Sequence, residues 1–156
     1  MQTRTIRLSS PEATCQWAAA LAPRLRAGDV ILLSGDVGAG KTHFARCLIQ
    51  SQLTTPEDVP SPTFTLVQTY PTPQAEIWHA DLYRLSDVNE VFELGLTEAF
   101  SDAICLIEWP DRLGDLAPNS ALSLSLAPGP DDDARIMQIR WQDAGWTDKL
   151  KGLAVD

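Results

Sequence analysis

Hydrophobic and polar residues alternate in some stretches of the chain and give way to short, wholly apolar runs in others. Residues 3–8 alternate, which predicts a strand at the edge of a sheet. Residues 30–33 and 103–107 are wholly apolar, as is typical of strands buried on both faces of a parallel sheet. Residues 64–70 alternate and residues 76–80 follow a proline-containing turn, so we expect a β-hairpin there.

Two helices are predicted in the first third of the chain. The first begins at Ser9 or Ser10, whose hydroxyls suit a helix N-cap. It should run to about Arg26, because Gly28 is a residue type that commonly ends helices. Residues 41–52 contain neither glycine nor proline and predict the second helix.

The remaining elements follow the same reasoning. Asp87 is placed to begin a helix over residues 88–94. The alternating residues 121–126 and 135–141 predict an antiparallel hairpin with one solvent-facing side. Residues 146–156 predict either a short terminal helix or a tail.

The most specific motif is a glycine-rich segment between the apolar run at 30–33 and the helix at 41–52. It has the pattern G-x-x-x-x-G-K-[ST] of a P-loop, in which backbone amides surround phosphates, a lysine reaches the β- and γ-phosphates and a hydroxyl binds Mg²⁺. Strand, loop and helix are the context that this motif requires. Its residues are Gly35, Asp36, Val37, Gly38, Ala39, Gly40, Lys41 and Thr42.

These elements predict an α/β fold. We expect a single P-loop NTPase domain over residues 1–156, because the chain is of ordinary domain length and shows no internal repeat. Its sheet should be mixed, with a parallel core flanked by helices. Antiparallel strands should be added at the edge and at the C-terminus.

Two carboxylates stand at the ends of predicted strands. Glu108 directly follows an apolar strand, where P-loop NTPases place a carboxylate at the Mg²⁺ site, and Trp109 comes next. Asp81 follows the second strand of the hairpin, close to Arg84. Asp81 is therefore either a catalytic carboxylate or a purely structural partner of that arginine. His79 is expected to be a hydrogen-bonded core histidine rather than a base.

A proline-rich segment, residues 53–63, lies between the second helix and the hairpin. Its three prolines exclude regular structure, so it should be a loop. Ser61 and Thr63 carry hydroxyls that can reach a γ-phosphate or its Mg²⁺, as nucleotide-sensing switch segments do. The alternative, a plain surface loop, stays equally open on the sequence.

The composition of the chain bears on nucleic-acid binding, on its location and on the state of its cysteines. The net charge is −9 and the acids concentrate after residue 52, so direct high-affinity nucleic-acid binding is not expected. No apolar run predicts a membrane span or a signal-peptide core, so we expect a cytoplasmic protein. Cys15, Cys47 and Cys105 show no C-x-x-C spacing, and each is expected to be a buried thiol rather than a disulfide or a metal ligand.

The motifs together resemble one family. The P-loop is followed in order by Ser-Pro-Thr-Phe-Thr-Leu-Val (61–67), His-Ala-Asp-Leu-Tyr-Arg-Leu (79–85) and Ile-Glu-Trp-Pro (107–110). This combination resembles the TsaE family, the small bacterial P-loop ATPases of tRNA threonylcarbamoyladenosine synthesis. The resemblance covers about residues 6–113.

The resemblance implies an ATPase that uses ATP and Mg²⁺ and works with a TsaD-like transferase subunit and its TsaB-like paralogue. These partners would transfer a threonylcarbamoyl group to the adenosine beside the tRNA anticodon, and ATP hydrolysis would support their turnover. The resemblance implies that Gly38, Gly40 and Lys41 bind the phosphates and that Thr42 and Glu108 bind Mg²⁺. Asp81 would position or activate the attacking water. Ser61 and Thr63 would form a nucleotide-sensing switch, and Trp109 would lie beside the site.

Two other functions remain open on the sequence. A small-molecule P-loop kinase would need an arginine-bearing lid, whereas residues 113–156 offer only Arg135 and Arg140, both in a predicted strand. A nucleotide-gated binding module would bind ATP without needing to hydrolyse it.

An arginine that completes an ATPase site could be Arg84 or could come from a partner. The acidic residues 87–102 are a candidate partner surface.

Overall fold

A computed structural model describes residues 1–153 and contains one seven-stranded sheet. The strands are β1 (Gln2–Leu8), β2 (Val30–Ser34), β3 (Val67–Tyr70), β4 (Ile77–Asp81), β5 (Ile104–Glu108), β6 (Leu122–Pro128) and β7 (Arg135–Trp141). Their order across the sheet is β1-β7-β6-β2-β5-β4-β3. The four central strands, β6-β2-β5-β4, pair in parallel, while β1, β7 and β3 pair antiparallel at the two sides. The predicted mixed α/β fold is confirmed.

Within residues 1–153, five α-helices and two 3₁₀ segments accompany this sheet. The α-helices are α1 (Pro11–Leu21), α2 (Lys41–Gln52), α3 (Asn89–Glu93), α4 (Leu96–Asp102) and α5 (Ala144–Lys149). The 3₁₀ segments are Ala22–Arg24 and Pro110–Leu116. Among the described residues, no helix is long and apolar enough to cross a membrane.

The central strand β2 is buried on both faces of the sheet. Ile31 and Leu33 join a large core with Trp17 of α1 and Phe44 of α2. The intervening Leu32 belongs to a second core on the opposite face, beneath α3 and α4. Burial on both faces explains the wholly apolar sequence of β2.

Two predicted boundaries were wrong. The first helix ends as an α-helix at Leu21 rather than near Arg26, because Pro23 has no N–H to continue the ladder and the chain tightens into the 3₁₀ segment. The strand expected from residue 64 begins at Val67. The amide of Leu66 instead donates to the carbonyl of Pro62, and Leu66 has a φ of 68°, which turns the chain before the strand.

The prediction for the cysteines was correct for one of the three. Cys105 is a buried free thiol in β5. Cys15 and Cys47 form a disulfide, because α1 and α2 pack side by side and bring their Cα atoms to 5.0 Å although 32 residues separate them.

The C-terminal elements follow the predicted pattern with shifted ends. β6 and β7 form the expected antiparallel hairpin. α5 begins at Ala144, where the side chain of Asp143 accepts from the amide of Gly145. The part of the terminal prediction that concerns residues 154–156 lies outside the described residues, and the single-domain assignment stays a prediction.

Candidate functional site

The carboxyl ends of the parallel strands β2, β4 and β5 meet at one edge of the sheet, where α/β proteins bind ligands. The P-loop leaves β2 there and leads into α2. An open cleft of about 440 Å³ lies between the P-loop and the strand ends. Its lining residues are Val37, Gly38, Gly40, Lys41, Thr42, His43, Ser61, Thr63, Asp81, Tyr83, Glu108 and Trp109.

Glycine is required at the start of the P-loop because the backbone passes close to strand β6. Gly35 has a φ of 143°, and a Cβ atom there would lie 2.6 Å from the carbonyl oxygen of Leu126. At the other end, Gly40 caps α2 in a left-handed conformation, with a φ of 108°. The loop therefore turns tightly and leaves the first amides of α2 directed at the cleft, as in anion-binding helix N-termini.

Lys41 is held inside the loop. It is 5% exposed, and its ammonium donates to the carbonyl oxygens of Gly35 and Asp36. Removal from water lowers the pKa of Lys41, and the nearby carboxylates, Glu108 first and Asp81 second, partly offset that effect. The indole of Trp109 adds a cation–π contact, with Nζ 4.2 Å from the ring centroid.

Thr42 and Glu108 bring a hydroxyl and a carboxylate together at the cleft. The Thr42 hydroxyl lies 2.9 Å from Oε1 and 3.0 Å from Oε2 of Glu108. Glu108 is 2% exposed, and Nε2 of His79 donates to its Oε2 across 2.7 Å. A hydroxyl beside an oriented carboxylate is a donor set that fits Mg²⁺, which prefers oxygen ligands. His79 is the expected buried, hydrogen-bonded histidine.

Asp81 lies beside Glu108, because the two residues are register partners at the ends of β4 and β5. Its Oδ2 accepts from the hydroxyl of Thr63 at 3.2 Å, and its Oδ1 accepts from the amide of Tyr83 at 3.0 Å. The hydroxyls of Thr63 and Ser61 are 2.7 Å apart. The proline-rich loop is thus linked to the strand ends by a chain of hydrogen bonds that begins at Ser61.

Asp81 does not form the structural contact with Arg84 that the sequence left open. The guanidinium of Arg84 lies over the ring of Phe64, 4.5 Å from its centroid. Asp81 contacts hydroxyl and amide donors instead, and it is 5% exposed. Its carboxylate therefore lies at the cleft without a basic side chain as hydrogen-bond partner among the described residues.

Trp109 occupies an unusual backbone conformation. Its φ is 58°, in the left-handed region that non-glycine residues rarely adopt. This turn directs the indole over Lys41 and against the ring of Tyr83, with ring centroids 4.9 Å apart. Strained backbone of this kind concentrates at functional sites.

Some motif residues support the loop rather than line the cleft. Gly35 and Asp36 supply the carbonyls that hold Lys41. Ala39 is 4% exposed, and its carbonyl faces the C-terminal hairpin. Val37 lines the cleft but is 79% exposed, at its mouth.

The sequence did not reveal the role of Arg135. Its Nε donates to the carbonyl of Ala39 at 3.0 Å, and its Nη2 lies 3.4 Å from the carbonyl of Gly38. A second cavity, of about 240 Å³, lies on this side of the P-loop and is lined by Pro11, Thr14, Gly38, Ala39, Gly40, His43, Leu126, Asp133 and Arg135. An arginine at the start of an alternating strand carries no local signal that it will reach a loop 96 residues away.

Comparisons with known proteins give one consistent result. The family model described as "Threonylcarbamoyl adenosine biosynthesis protein TsaE" matches residues 8–137. The tRNA threonylcarbamoyladenosine biosynthesis protein TsaE of Rickettsia bellii (strain RML369-C) is 42% identical over 139 residues, which cover 89% of this chain and 95% of that protein. The protein of that name from Bacillus subtilis (strain 168) is 35% identical over 131 residues, covering 83% and 81% of the two chains.

A solved structure shows the same fold. The crystal structure of Bacillus subtilis YdiB superposes with a TM-score of 0.77, over 97% of this chain and 94% of that chain. The two sequences are 24% identical in this superposition, so the likeness shows the fold alone.

Proposed function

The chain belongs to the TsaE family of tRNA threonylcarbamoyladenosine biosynthesis, and from that premise we propose that it is a Mg²⁺-dependent ATPase whose hydrolysis supports turnover of the threonylcarbamoyl transferase complex. The observation that carries the proposal is the placement of Asp81 and Glu108 side by side at the strand ends, facing Lys41 and Thr42 of the P-loop. The same proposal places the protein in the cytoplasm.

Nucleotide binding would use both sides of the P-loop. The triphosphate would lie in the larger cleft, where the amides at the start of α2 and the ammonium of Lys41 neutralise its charge. The smaller cavity would take the nucleoside, between Pro11 and Thr14 of α1 and Arg135 of β7. Mg²⁺ would be held by Thr42 and Glu108 and would supply charge neutralisation on the phosphates.

Hydrolysis needs a water in line with the bond that breaks, and Asp81 is the candidate to hold it. Its two carboxylate oxygens accept from Thr63 and from the amide of Tyr83, which fixes their direction at the cleft. A γ-phosphate would meet the hydroxyls of Ser61 and Thr63 from the other side. These residues therefore can report whether a triphosphate is present, as switch segments do.

Apolar side chains around the cleft support the dependence on partners. Val37 and Tyr83 line the cleft and are 79% and 47% exposed, and Phe64, which follows the cleft residue Thr63 in the chain, is 82% exposed. Exposed apolar groups at the mouth of a polar cleft are typical of surfaces that another protein covers. We propose that the TsaD-like and TsaB-like subunits make this contact. A partner arginine would then have access to the phosphates.

The experiment is ATP hydrolysis by the purified chain, alone and with its TsaD-like and TsaB-like subunits, with formation of the modified tRNA measured in the same mixtures. The proposal predicts slow hydrolysis alone and faster hydrolysis, with repeated tRNA modification, in the complete mixture. Lys41→Ala is the inactive control, because it removes the phosphate-binding ammonium. Full-speed hydrolysis by the isolated chain, unchanged by the partners, would reject the dependence on partners.

A further inference from the structure

A cluster of metal-binding side chains lies between α1 and α2, and one of its members, His43, also lines the cleft and the second cavity. Cys15 of α1 and Cys47 of α2 are joined in a disulfide. His43 lies one helical turn before Cys47, and its Nε2 is 3.7 Å from the sulfur of each cysteine. The carbonyl oxygen of Pro11 is 3.1 Å from the same nitrogen. One ligand atom from each of the three side chains lies within 4.8 Å of the other two.

We propose that Cys15, His43 and Cys47 form a redox-gated site for a soft divalent cation, with Zn²⁺ as its occupant: the dithiol form binds the ion and the disulfide form excludes it. This inference rests on the geometry of these three residues. Its geometry does not depend on ATP hydrolysis, whereas the choice of the dithiol as the working form rests on the cytoplasmic location in the proposed function.

The observed distances fit zinc coordination. Zinc binds thiolate sulfur at about 2.3 Å and imidazole nitrogen at about 2.0–2.1 Å in a tetrahedron, so a sulfur and a nitrogen on one ion lie about 3.6 Å apart. Both sulfur–nitrogen distances to His43 are 3.7 Å. The ligands come from two packed helices, whose contact is reinforced by Trp17 against Phe44 at 6.0 Å between ring centroids. The two helices therefore already hold the three residues together in the disulfide form, and ion binding requires the two sulfurs to separate after reduction.

The disulfide and the ion are mutually exclusive. Two sulfurs on one tetrahedral zinc lie about 3.8 Å apart, whereas a covalent S–S bond holds them at roughly 2.0 Å. Two thiols of an external reductant convert the disulfide to two protein thiols and become a disulfide themselves; the protein thiols then lose two protons as they bind Zn²⁺. In reverse, an external disulfide accepts the two electrons, leaves as two thiolates, and Zn²⁺ is released as the Cys15–Cys47 bond forms.

The site is open to ions and to small thiols. Cys15 and His43 are partly exposed, while Cys47 is 8% exposed. In the cytoplasm, the location that the proposed function assigns, a disulfide is typically transient, so the dithiol form would be the relevant one for metal binding. Cys105 offers a contrast within the same chain: burial raises the pKa of its thiol to about 12, so it stays protonated and unreactive.

The test is a titration of the full-length protein with Co²⁺ as a spectroscopic stand-in, followed by displacement with Zn²⁺. The protein is first reduced, freed of reductant without air and kept in excess Mg²⁺, which occupies oxygen-ligand sites. Thiolate-to-cobalt charge-transfer absorption then reports only a site that contains cysteine. Cys15→Ser, Cys47→Ser and His43→Ala are compared with Cys105→Ala, a matched control that removes the third thiol outside the cluster.

The proposal predicts one cobalt per chain with tetrahedral thiolate bands in the reduced wild type, replaced by Zn²⁺, and none in the oxidised wild type. Affinity should fall at least about tenfold in each cluster variant, because the loss of even a group that only orients a metal ligand typically costs that much, and it should stay unchanged in Cys105→Ala. The proposal fails if the reduced wild type shows no thiolate bands, if they survive in Cys15→Ser and Cys47→Ser, or if Cys105→Ala removes them. Oxidised and reduced wild type share one sequence, so a folding defect in a variant cannot produce the predicted difference between them.

Discussion

The imidazole of His79 on β4 donates from Nε2 to Oε2 of Glu108 on β5, across 2.7 Å. The two residues are not register partners, since His79 pairs with Leu106 and Glu108 pairs with Asp81. His79 therefore reaches forward along the sheet to the carboxylate, which Thr42 contacts from the P-loop. Glu108 is held between two donors and has one orientation at the cleft.

Replacement of His79 tests whether that orientation matters for metal binding. His79→Leu keeps a buried apolar volume but removes the hydrogen bond to Glu108. Loss of a group that orients a metal ligand typically costs 10–100-fold in metal affinity. We expect the Mg²⁺ concentration that half-saturates nucleotide binding to rise by about that factor.

The control for this prediction is His79→Gln, whose amide can still donate to the carboxylate. It should restore part of the Mg²⁺ affinity. Affinity for the nucleotide without Mg²⁺ should change little in either variant. An unaltered Mg²⁺ midpoint in His79→Leu, with a folded protein, would contradict a positioning role.

Arg135 offers a second test, because it supports the P-loop from outside the motif. Arg135→Leu removes the donors to the carbonyls of Gly38 and Ala39. A hydrogen bond from a charged group contributes about 1.5–3 kcal/mol, so nucleotide affinity should fall at least about tenfold, measured by calorimetric titration. Arg140→Leu is the matched control on the same strand, where the exposed Arg140 contacts Gln138. Equal losses in both variants would show that the effect is not specific to the P-loop.

The Cys15–Cys47 disulfide should stabilise the metal-free chain. It closes a loop across a sequence separation of 32 residues, for which chain-entropy estimates give roughly 3 to 4 kcal/mol. We expect reductant to lower the free energy of unfolding of metal-free protein by about that amount, measured by denaturant titration. The double variant Cys15→Ser, Cys47→Ser should show no effect of reductant. A response to reductant in that variant would assign the change to another group.

A pH-dependent contribution is expected at the start of α3. The side chain of Glu90 accepts from the hydroxyl and amide of Ser86 and from the amide of Asp87, and the hydroxyl of Ser86 is the main cause of its lowered pKa. Because the folded pKa lies below the unfolded value, the stabilisation is complete above about pH 4.3 and is lost as the pH falls through the folded pKa.

Glu90→Gln should therefore destabilise the protein at pH 7, and its difference from wild type should shrink as the solution is acidified below the ordinary glutamate pKa. Denaturant titrations at a series of pH values measure this difference. Glu93→Gln, an exposed position on the same helix, is the control. A Glu90→Gln difference that stays constant down to low pH would contradict the assignment.

Local patterns were sufficient to predict the parallel centre of the sheet. The apolar runs in β2 and β5 report burial on both faces, and the P-loop glycines require a tight turn, so both signals are contained in a few consecutive residues. The ends of elements depended on single residues such as Pro23 and Leu66, whose effect on the backbone overrode the wider pattern.

Contacts between residues far apart in the chain could not be predicted from local sequence patterns. Nothing adjacent to Cys15 or Cys47 shows that α1 and α2 will bring them together, and the disulfide was missed for that reason. Arg135 likewise meets the P-loop only because β6 lies beside β2 in the sheet. The assignment of Asp81, Glu108, Ser61 and Thr63 to one cleft needed the family's motifs as well as strand ends.

The most direct test of the account is Asp81→Asn, which keeps the size of the side chain and removes its charge. Asp81 accepts from Thr63 and Tyr83 but does not contact Thr42 or Lys41 through a hydrogen bond in the described chain, so binding of ATP and Mg²⁺ should stay near the wild-type level. ATP hydrolysis in the complete mixture with the TsaD-like and TsaB-like subunits should fall by about 10²–10⁴-fold, and repeated tRNA modification should stop. Normal tRNA modification by an Asp81→Asn protein that no longer hydrolyses ATP would contradict the ATPase account and favour a nucleotide-gated binding module.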